Sequence, residues 1–396
     1  MKKIAVIGLY SIRNAGDNIL CEATSYLLKK ELPDAEIIPV DVNPRIGAFH
    51  GLGKIPFLIS KVLIHLSGYF FRYENAGRFR YIYEYFMWWL KVNGLFRKKL
   101  KDADAAVFAG GGFLKFRTQG LNYDVEQIVK ICEKRNIPVM MNAVGIEGFD
   151  LSDIRCRRLR EAINRPVVKV ITTRDDIDTL QNCYKTNPAL RVARAGDPAL
   201  WLPECFGISG GERGDTIGVN VIWSRIYRTY GGTLSEEGLL DFYVRLIRGM
   251  EERGMKWILF SNGMPSDIRF GKALLQAIGA PPDRLLPAPE NTEAFLDMIR
   301  TFRCVFGARL HACITAYALD VPAVGLIWSE KLRFFSEIIG KEGAFFEEDE
   351  MDVPAILDAI ERESESGYDT EIRENLKETT RQYLKLFLKE TGLTAG

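Results

Sequence analysis

Short apolar runs alternate with longer amphipathic stretches along most of the chain, and this alternation predicts parallel β-sheets covered by helices. Each half of the chain has its own series of such runs. In the first half, the predicted strands are Ile4–Gly8, Glu36–Val40, Ala105–Ala109, Val139–Ala143 and Val167–Thr172. The helical patterns between these strands cover about 18–32, 121–134 and 152–163.

The second series follows a glycine-rich stretch at 206–214. Its predicted strands are Thr216–Val221, Trp257–Phe260, Cys304–Phe306 and Ala323–Leu326, and its helices cover about 236–253, 268–278, 292–299 and 308–318. We therefore expect an α/β protein of two doubly wound domains, which suits a length of 396 residues. The expected parts are a first domain at 1–207, a linker at 208–214, a second domain at 215–368 and a terminal helical segment at 369–396 that crosses back to the first domain.

One segment, 54–101, interrupts the alternation. It holds ten Lys and Arg against only Glu74 and Glu84, and it is crowded with aromatic residues. A basic, aromatic helical insertion is typical of a region that contacts a membrane surface or a lipid-linked substrate. The same pattern also fits a pair of helices that pack their aromatic residues inward behind a solvated basic face. Both interpretations are open.

Charge and cysteine content narrow the class of protein. The chain has 53 Lys and Arg against 52 Asp and Glu, so no overall basic field favours nucleic acid as a partner. Its seven cysteines are scattered and form no CxxC pair, which indicates reduced thiols in the cytoplasm, without a disulfide framework or a metal site. No stretch reaches the roughly 18 uncharged apolar residues that a membrane-spanning helix needs.

The loop after the first predicted strand carries polar residues where ligands bind in doubly wound sheets. Asn14 and Gly16 tolerate unusual backbone angles, and Asp17 can either cap the following helix or accept a proton. The loop lacks the GxGxxG pattern of a dinucleotide site.

Two further strand ends carry candidate binding residues. Gly110, Gly111 and Gly112 follow a strand and let a ligand approach the backbone, although no Walker lysine follows them. Arg174 follows another strand, and its guanidinium is suited to a carboxylate or a phosphate. A surface ion pair with Asp175 or its neighbour is the alternative for this arginine.

The stretch 307–325 holds the most specific constellation. After a strand that ends near Gly307, a predicted helix begins with Arg309 and His311 in its first turn. A helix N-terminus attracts anions, and an arginine there strengthens the attraction. The helix terminus favours the neutral imidazole, whereas a bound phosphate or carboxylate favours the protonated ring. His311 is therefore a candidate proton donor once an anionic substrate is bound.

In this order, the motifs resemble the polysaccharide pyruvyl transferase family. The resemblance covers about 1–340. It rests on Asn14-Ala-Gly16-Asp17, the triple glycine, Arg174-Asp175, Asp197-Pro198, the Gly307 to His311 signature and Lys331 after the next strand.

The resemblance implies a GT-B-like fold with two doubly wound domains facing across a cleft. It also implies transfer of pyruvate from phosphoenolpyruvate to a pair of sugar hydroxyls, with release of phosphate and without a metal or cofactor. The functional set that it implies is Arg174, His311 and Lys331. With Arg309 added, the cations would hold phosphoenolpyruvate, His311 would donate a proton and Asp17 would accept one. Asn14, Gly16, Gly111 and Gly112 are candidates for the sugar or lipid-linked acceptor.

Two other functions fit the same architecture. A glycosyltransferase that uses a nucleotide sugar commonly holds the ribose with a carboxylate in the second domain, and 311–319 contains none. A non-catalytic glycan-binding protein would not need Arg174, Arg309, His311 and Lys331, so the presence of these residues counts against this alternative. We expect a cytoplasmic enzyme of cell-envelope polysaccharide synthesis that 54–101 can bring to the inner face of the membrane.

Overall fold

The chain folds into two compact α/β units. The computed structural model describes residues 1–10, 14–42, 77–117, 121–208, 213–229 and 232–394. The first unit comprises Met1–Ser11, Thr24–Ala195 and Thr380–Gly396, and the second comprises Ile12–Ala23 and Gly196–Thr379. Neither unit is a continuous stretch of chain.

The first unit is built on a parallel sheet that, among the described residues, has six strands in the order β2-β1-β3-β5-β7-β8. Its strands are β1 (Lys3–Gly8), β2 (Glu36–Asp41), β3 (Ala105–Ala109), β5 (Val139–Val144), β7 (Val168–Thr173) and β8 (Arg191–Arg194), with a small separate pair, β4 (Leu114–Lys115) and β6 (Ile146–Glu147). The helices of this half of the chain are α1 (Ala15–Glu31), α2 (Gly77–Lys99), α3 (Leu121–Lys134), α4 (Ile154–Ile163) and the short α5 (Ile177–Thr179).

The second unit has a parallel sheet whose five described strands follow the order β10-β9-β11-β12-β13. Its strands are β9 (Thr216–Asn220), β10 (Lys256–Phe260), β11 (Cys304–Gly307), β12 (Ala323–Leu326) and β13 (Phe345–Phe346). The helices from here to the end of the chain are α6 (Leu202–Phe206), α7 (Ser224–Thr229), α8 (Glu236–Glu252), α9 (Pro265–Ile278), α10 (Thr292–Arg300), α11 (Leu310–Ala318), α12 (Glu330–Ile338), α13 (Val353–Glu365) and α14 (Thr370–Glu390).

The second sheet is buried on both faces because its strands alternate their side chains between two apolar clusters. Cys304 and Phe306 of β11 belong to one cluster, and Val305 between them belongs to the other. The second of these clusters also includes Ala15 and Ile19 from the start of α1. A strand covered on both faces needs an unbroken apolar run, which is what β11 has.

The predicted α/β fold of two doubly wound sheets is confirmed, and the elements that were predicted match to within a few residues, although the helices α12 and α13 were not predicted. Two short edge strands were not predicted. β8 is half polar, with an arginine at each end, and β13 has only two residues, so neither has the apolar pattern of a buried strand. Part of the expected linker, 209–212, lies outside the described residues.

The basic, aromatic segment is only partly described, since 54–76 lies outside the described residues. The remainder forms α2, whose inner side makes polar contacts with α3. Tyr81 donates to Glu126, Trp88 Nε1 donates to Asp124 Oδ1 at 2.6 Å, and Tyr123 of α3 donates to Glu84 at 2.6 Å. Burial and the nearby Glu126 hold the pKa of Tyr81 above its usual value, so its hydroxyl stays protonated and donates.

Three described apolar side chains of α2 are exposed. Ile82, Phe86 and Trp89 are 54%, 51% and 38% exposed, and their spacing of i, i+4 and i+7 places them on one side of the helix. The rings of Phe86 and Trp89 are stacked, with centroids 6.2 Å apart. Among the described residues, no helix is long and apolar enough to cross a membrane. The inward polar contacts agree with a helix that packs part of its aromatic residues against the protein, and contact with a membrane surface stays a prediction.

Candidate active site

His311 lies in the first turn of α11, and its side chain is 12% exposed. The strand β11 ends at Gly307, and Arg309 occupies the N-cap position of the helix. Gly307 is close to Cys313, since a Cβ at Gly307 would lie 2.3 Å from the Cys313 Sγ. Burial raises the pKa of the Cys313 thiol, so this cysteine stays protonated and is unsuited to act as a nucleophile. His311 is thus the side chain of this turn whose type suits proton transfer.

The imidazole of His311 packs against the backbone of the loop that begins α1. A Cβ added to Gly16 would lie 2.5 Å from His311 Nδ1, so only glycine fits there without displacing the ring. The loop itself is held by Asn14, whose Oδ1 accepts from Gly16 N at 3.3 Å and whose Nδ2 donates to Asp17 Oδ2 at 2.8 Å. Asn14 therefore provides the helix cap that the sequence had suggested for Asp17. Of these predicted loop residues, Gly16 contacts His311, and Asn14 and Asp17 belong to the same loop.

A second carboxylate lies on the other side of the imidazole. Asp197 Oδ2 is 3.9 Å from His311 Nε2, and the Asp197 side chain is 5% exposed. The other carboxylate oxygen, Oδ1, accepts from Ala199 N at 2.8 Å and so fixes the orientation of the group. Nε2 of the imidazole therefore lies near a buried carboxylate that is held in one orientation.

Arg309 is engaged in a buried ion pair that the sequence did not reveal. Its Nε donates to Asp267 Oδ2 at 2.9 Å and its Nη2 donates to Asp267 Oδ1 at 2.8 Å. The Asp267 side chain is fully buried, and that of Arg309 is 13% exposed. The bidentate contact fixes the guanidinium and neutralises part of its charge. Among the described residues, Arg309 Nη1 has no hydrogen-bond partner, so this end of the guanidinium remains able to donate.

Two asparagines connect this turn to the loop of α1. Asn220, at the end of β9, accepts from Arg309 N at 3.0 Å and donates to Asn262 Oδ1, also at 3.0 Å. Asn262, just beyond β10, accepts at its main-chain oxygen from Ala15 N at 2.8 Å. Hydrogen bonds therefore run from the backbone at the start of α11 to the backbone at the start of α1. This network holds the two segments that contact each other at Gly16 and His311.

Lys331 is the second residue of α12, which follows β12. Strands β11 and β12 are neighbours in the second sheet. Because parallel strands present their carboxyl ends at one edge, Lys331 emerges from the same edge of the sheet as Arg309 and His311. The sequence had also placed Lys331 after the strand that follows the Gly307 to His311 motif.

The remaining predicted residues lie in the first unit. Gly110 and Gly111 have φ of 60° and 76°, a backbone region that favours glycine, and this explains the glycine turn after β3 without a ligand. Gly112 is the third residue of this turn. Arg174 follows β7 and is buried, with 8% of its surface exposed. Its neighbour Asp175 accepts from Ile146 N at 3.1 Å and from Thr173 Oγ1 at 2.7 Å.

Sequence reasoning missed Asp267, Asn220 and Asn262. Asp267 is 42 residues from Arg309, and a pair this distant leaves no local pattern. The two asparagines had a usable signal, because each follows an apolar strand at its carboxyl end, where ligands and loops gather in this fold class. Asp197 was noted only as part of a motif.

Several solved structures share this fold. UDP-GlcNAc 2-epimerase from Methanocaldococcus jannaschii has a TM-score of 0.59 at 12% identity, with 98% of this chain and 99% of that chain covered. The enzyme from Neisseria meningitidis has a TM-score of 0.57 at 10% identity, covering 98% and 100%. The enzyme from Rickettsia bellii has a TM-score of 0.54 at 14% identity, covering 99% and 97%. At these identities the likeness shows the GT-B fold alone.

Sequence comparison identifies the family. No curated protein matches the chain in sequence. The model of one protein family, described as polysaccharide pyruvyl transferase, matches residues 14–330. The match runs from the Asn14 loop through His311 to the start of α12, and it covers most of the 396 residues. The chain therefore belongs to the polysaccharide pyruvyl transferase family.

Proposed function

We propose that the protein transfers pyruvate from phosphoenolpyruvate to a pair of hydroxyls on a sugar of a cell-surface glycan or its precursor, forming a ketal and releasing phosphate. Family membership supports pyruvyl transfer. The observation that carries the proposal is His311, which lies at a helix N-terminus between Gly16 and the Asp197 carboxylate. This setting suits an acid that acts beside a bound anion.

The donor has a phosphate and a carboxylate, so several cations should hold it. We assign this role to Arg174, Arg309 and Lys331. Arg309 and Lys331 emerge at one edge of the second sheet, and the Asp267 contact fixes the Arg309 guanidinium in advance. Arg174 is included because it occupies the position of the functional arginine in the resemblance and because a buried guanidinium favours an anionic partner.

The proton transfers follow from the chemistry of an enol ester. His311 donates its proton to the methylene carbon of phosphoenolpyruvate, which becomes a methyl group and leaves positive character on the adjacent carbon. A sugar hydroxyl attacks that carbon, and Asp17 accepts the hydroxyl proton. The carbon–oxygen bond to phosphate then breaks, and the second hydroxyl attacks and loses its proton as the ketal closes. The two sugar hydroxyls lose two protons in total. The methylene carbon gains one proton and the released phosphate gains the other, so the reaction balances.

For the acceptor, we propose contacts with Asn14 and Gly16 in the loop of α1, and with Gly111 and Gly112 in the glycine turn. Asn14 already holds Asp17 at 2.8 Å, which keeps the proposed proton acceptor in place. The reaction as written uses no metal and no cofactor.

We further propose that α2 brings the enzyme to the inner face of the membrane, where a lipid-linked acceptor would be found. The support is the exposed row of Ile82, Phe86 and Trp89, together with ten Lys and Arg against two Glu across 54–101. Apolar rings next to basic residues suit the interface of anionic lipids.

The proposal is tested with the purified full-length protein, phosphoenolpyruvate and a panel of glycans and lipid-linked precursors. Phosphate release and mass spectrometry of the acceptor should report a pyruvate ketal. Lys331→Met should raise the KM for phosphoenolpyruvate, while Lys272→Met, at an exposed lysine of α9, should leave it unchanged. Thermal stabilisation by nucleotide sugars and not by phosphoenolpyruvate would point to a glycosyltransferase. Binding of glycans without phosphate release would point to a non-catalytic protein.

A further inference from the structure

A polar cavity opens within the second unit next to the loop that packs on His311. Its volume is about 320 Å³, at the lower end of the ~300–1,000 Å³ typical of small-molecule sites. It is lined by residues of the α1 loop, of the β10 end and of the segment before α10, namely Asn14, Ala15, Asn18, Asn262, Gly263, Ala288, Pro289, Glu290 and Asn291.

The lining has the chemistry of a site for a neutral ligand with many hydroxyls. Among the described residues that line it, Glu290 is the one charged side chain, and none is Lys, Arg or His. A phosphate or a carboxylate would find no counter-charge there. Ala15, Ala288 and Pro289 offer little apolar surface, so a mainly hydrophobic ligand is also disfavoured. Amide groups and a carboxylate are donors and acceptors suited to sugar hydroxyls.

Several of these polar groups are available to a ligand. In the part of the chain that the structure describes, the side chains of Asn18 and Glu290 make no hydrogen bond to protein. Asn262 is 2% exposed, and its Oδ1 accepts from Asn220, which leaves its Nδ2 as a donor beside the cavity. Asn291 uses its Oδ1 to cap α10. A ligand can therefore be bound without breaking the contacts that hold the loops.

Two residues that line the cavity come immediately before the loop residues of the proposed catalytic site in the sequence. Asn14 and Ala15 line it, and the next residue, Gly16, packs on His311. Asn14 also holds Asp17, the proposed acceptor of the hydroxyl proton. From these relationships, we infer that the cavity binds a neutral sugar unit of the acceptor, with Asn18, Asn262 and Glu290 as its specificity-determining residues. This inference rests on the proposed function, and it adds residues that motif comparison does not single out.

A blocking variant tests the inference. Ala288 is exposed, so Ala288→Trp should fill the cavity without disturbing the core, and Ala277→Trp, at an exposed position of α9 that does not line the cavity, is its matched control. The probes are the methyl glycosides of glucose, galactose, mannose and N-acetylglucosamine. Uridine, a neutral nucleoside that carries a base on its sugar ring, is the comparison ligand. Binding is measured by saturation-transfer NMR titration, and phosphoenolpyruvate binding is measured separately by thermal shift.

We expect at least one glycoside to bind the wild type and Ala277→Trp, and to bind Ala288→Trp at least tenfold more weakly. Asn18→Ala should weaken the same glycoside without closing the cavity. The inference is overturned if no glycoside binds the wild type, if Ala288→Trp binds it equally well, or if uridine alone depends on Ala288. If phosphoenolpyruvate raises the melting temperature of Ala288→Trp as much as that of the wild type, the donor site is intact and the loss of glycoside binding comes from the blocked cavity. If no variant responds to phosphoenolpyruvate, the proposed donor is wrong even where the glycoside result holds.

Discussion

The Gly16 backbone packs so closely on the His311 ring that a Cβ at Gly16 would lie 2.5 Å from Nδ1. Gly16→Ala should therefore displace the imidazole and lower kcat by at least tenfold. Alanine favours a helix over glycine by about 1 kcal/mol, so any loss of activity would come from the contact and not from a weaker helix. Gly367→Ala is the matched control, because a Cβ there meets nothing within 4 Å.

His311→Asn should reduce phosphate release by about 10²–10⁴-fold if the imidazole is the general acid. Because the ring is only 12% exposed and packs on Gly16, urea unfolding is measured as well, and the variant should lose no more than the ~0.5–3 kcal/mol usual for a single substitution. A double-mutant cycle sharpens the test. If Gly16 acts through the ring, Gly16→Ala should have almost no further effect on kcat in the His311→Asn background. Fully additive effects would mean that Gly16 acts on the reaction by another route.

Asp267→Ala should destabilise the protein by about 3–5 kcal/mol in urea unfolding, because it leaves the Arg309 guanidinium partly buried without its partner. The exposed pair of Arg245 and Asp241 provides the control, and Asp241→Ala should cost less than about 1 kcal/mol. Similar losses at both sites would contradict a structural role for the Asp267 contact.

Arg309→Lys separates the two roles of this arginine. Lysine cannot reproduce the bidentate contact with Asp267, so stability should fall. If Arg309 also holds the donor, the KM for phosphoenolpyruvate should rise at temperatures where the variant remains folded. An unchanged KM together with lowered stability would leave Arg174 and Lys331 as the proposed donor ligands and Arg309 as a positioning residue.

Replacing Ile82, Phe86 and Trp89 together by Ser should abolish co-sedimentation with vesicles of anionic phospholipid. Phosphate release with a water-soluble acceptor should stay unchanged. Leu151→Ser is the control, since Leu151 is 41% exposed in the same unit but lies outside α2. Vesicle binding that survives the triple change would refute the assignment of this helix to the membrane surface.

The sequence predicted the sheets because strands such as β1, β3 and β11 are apolar runs that end in glycine or are followed by it. It also predicted the position of His311, because a strand, a glycine and a helix start follow one another within five residues at 307–311. The ion pair of Arg309 and Asp267 could not be predicted, since the two residues are brought together only by the order of strands. The role of Asn14 as helix cap was missed because Asp17 is an equally good capping residue by type.

The division of the chain between the two units has a consequence for synthesis. Ala15 and Ile19 complete an apolar cluster whose other buried members are synthesised later, at positions 199–345. Phe387 and Leu388 of the first unit are buried and follow every residue of the second unit in sequence. The core of the first unit therefore cannot close on the nascent chain until the second unit has been made. Truncated fragments that start at Gly196 or stop before α14 should therefore aggregate, and the protein should depend on chaperones while it is being made.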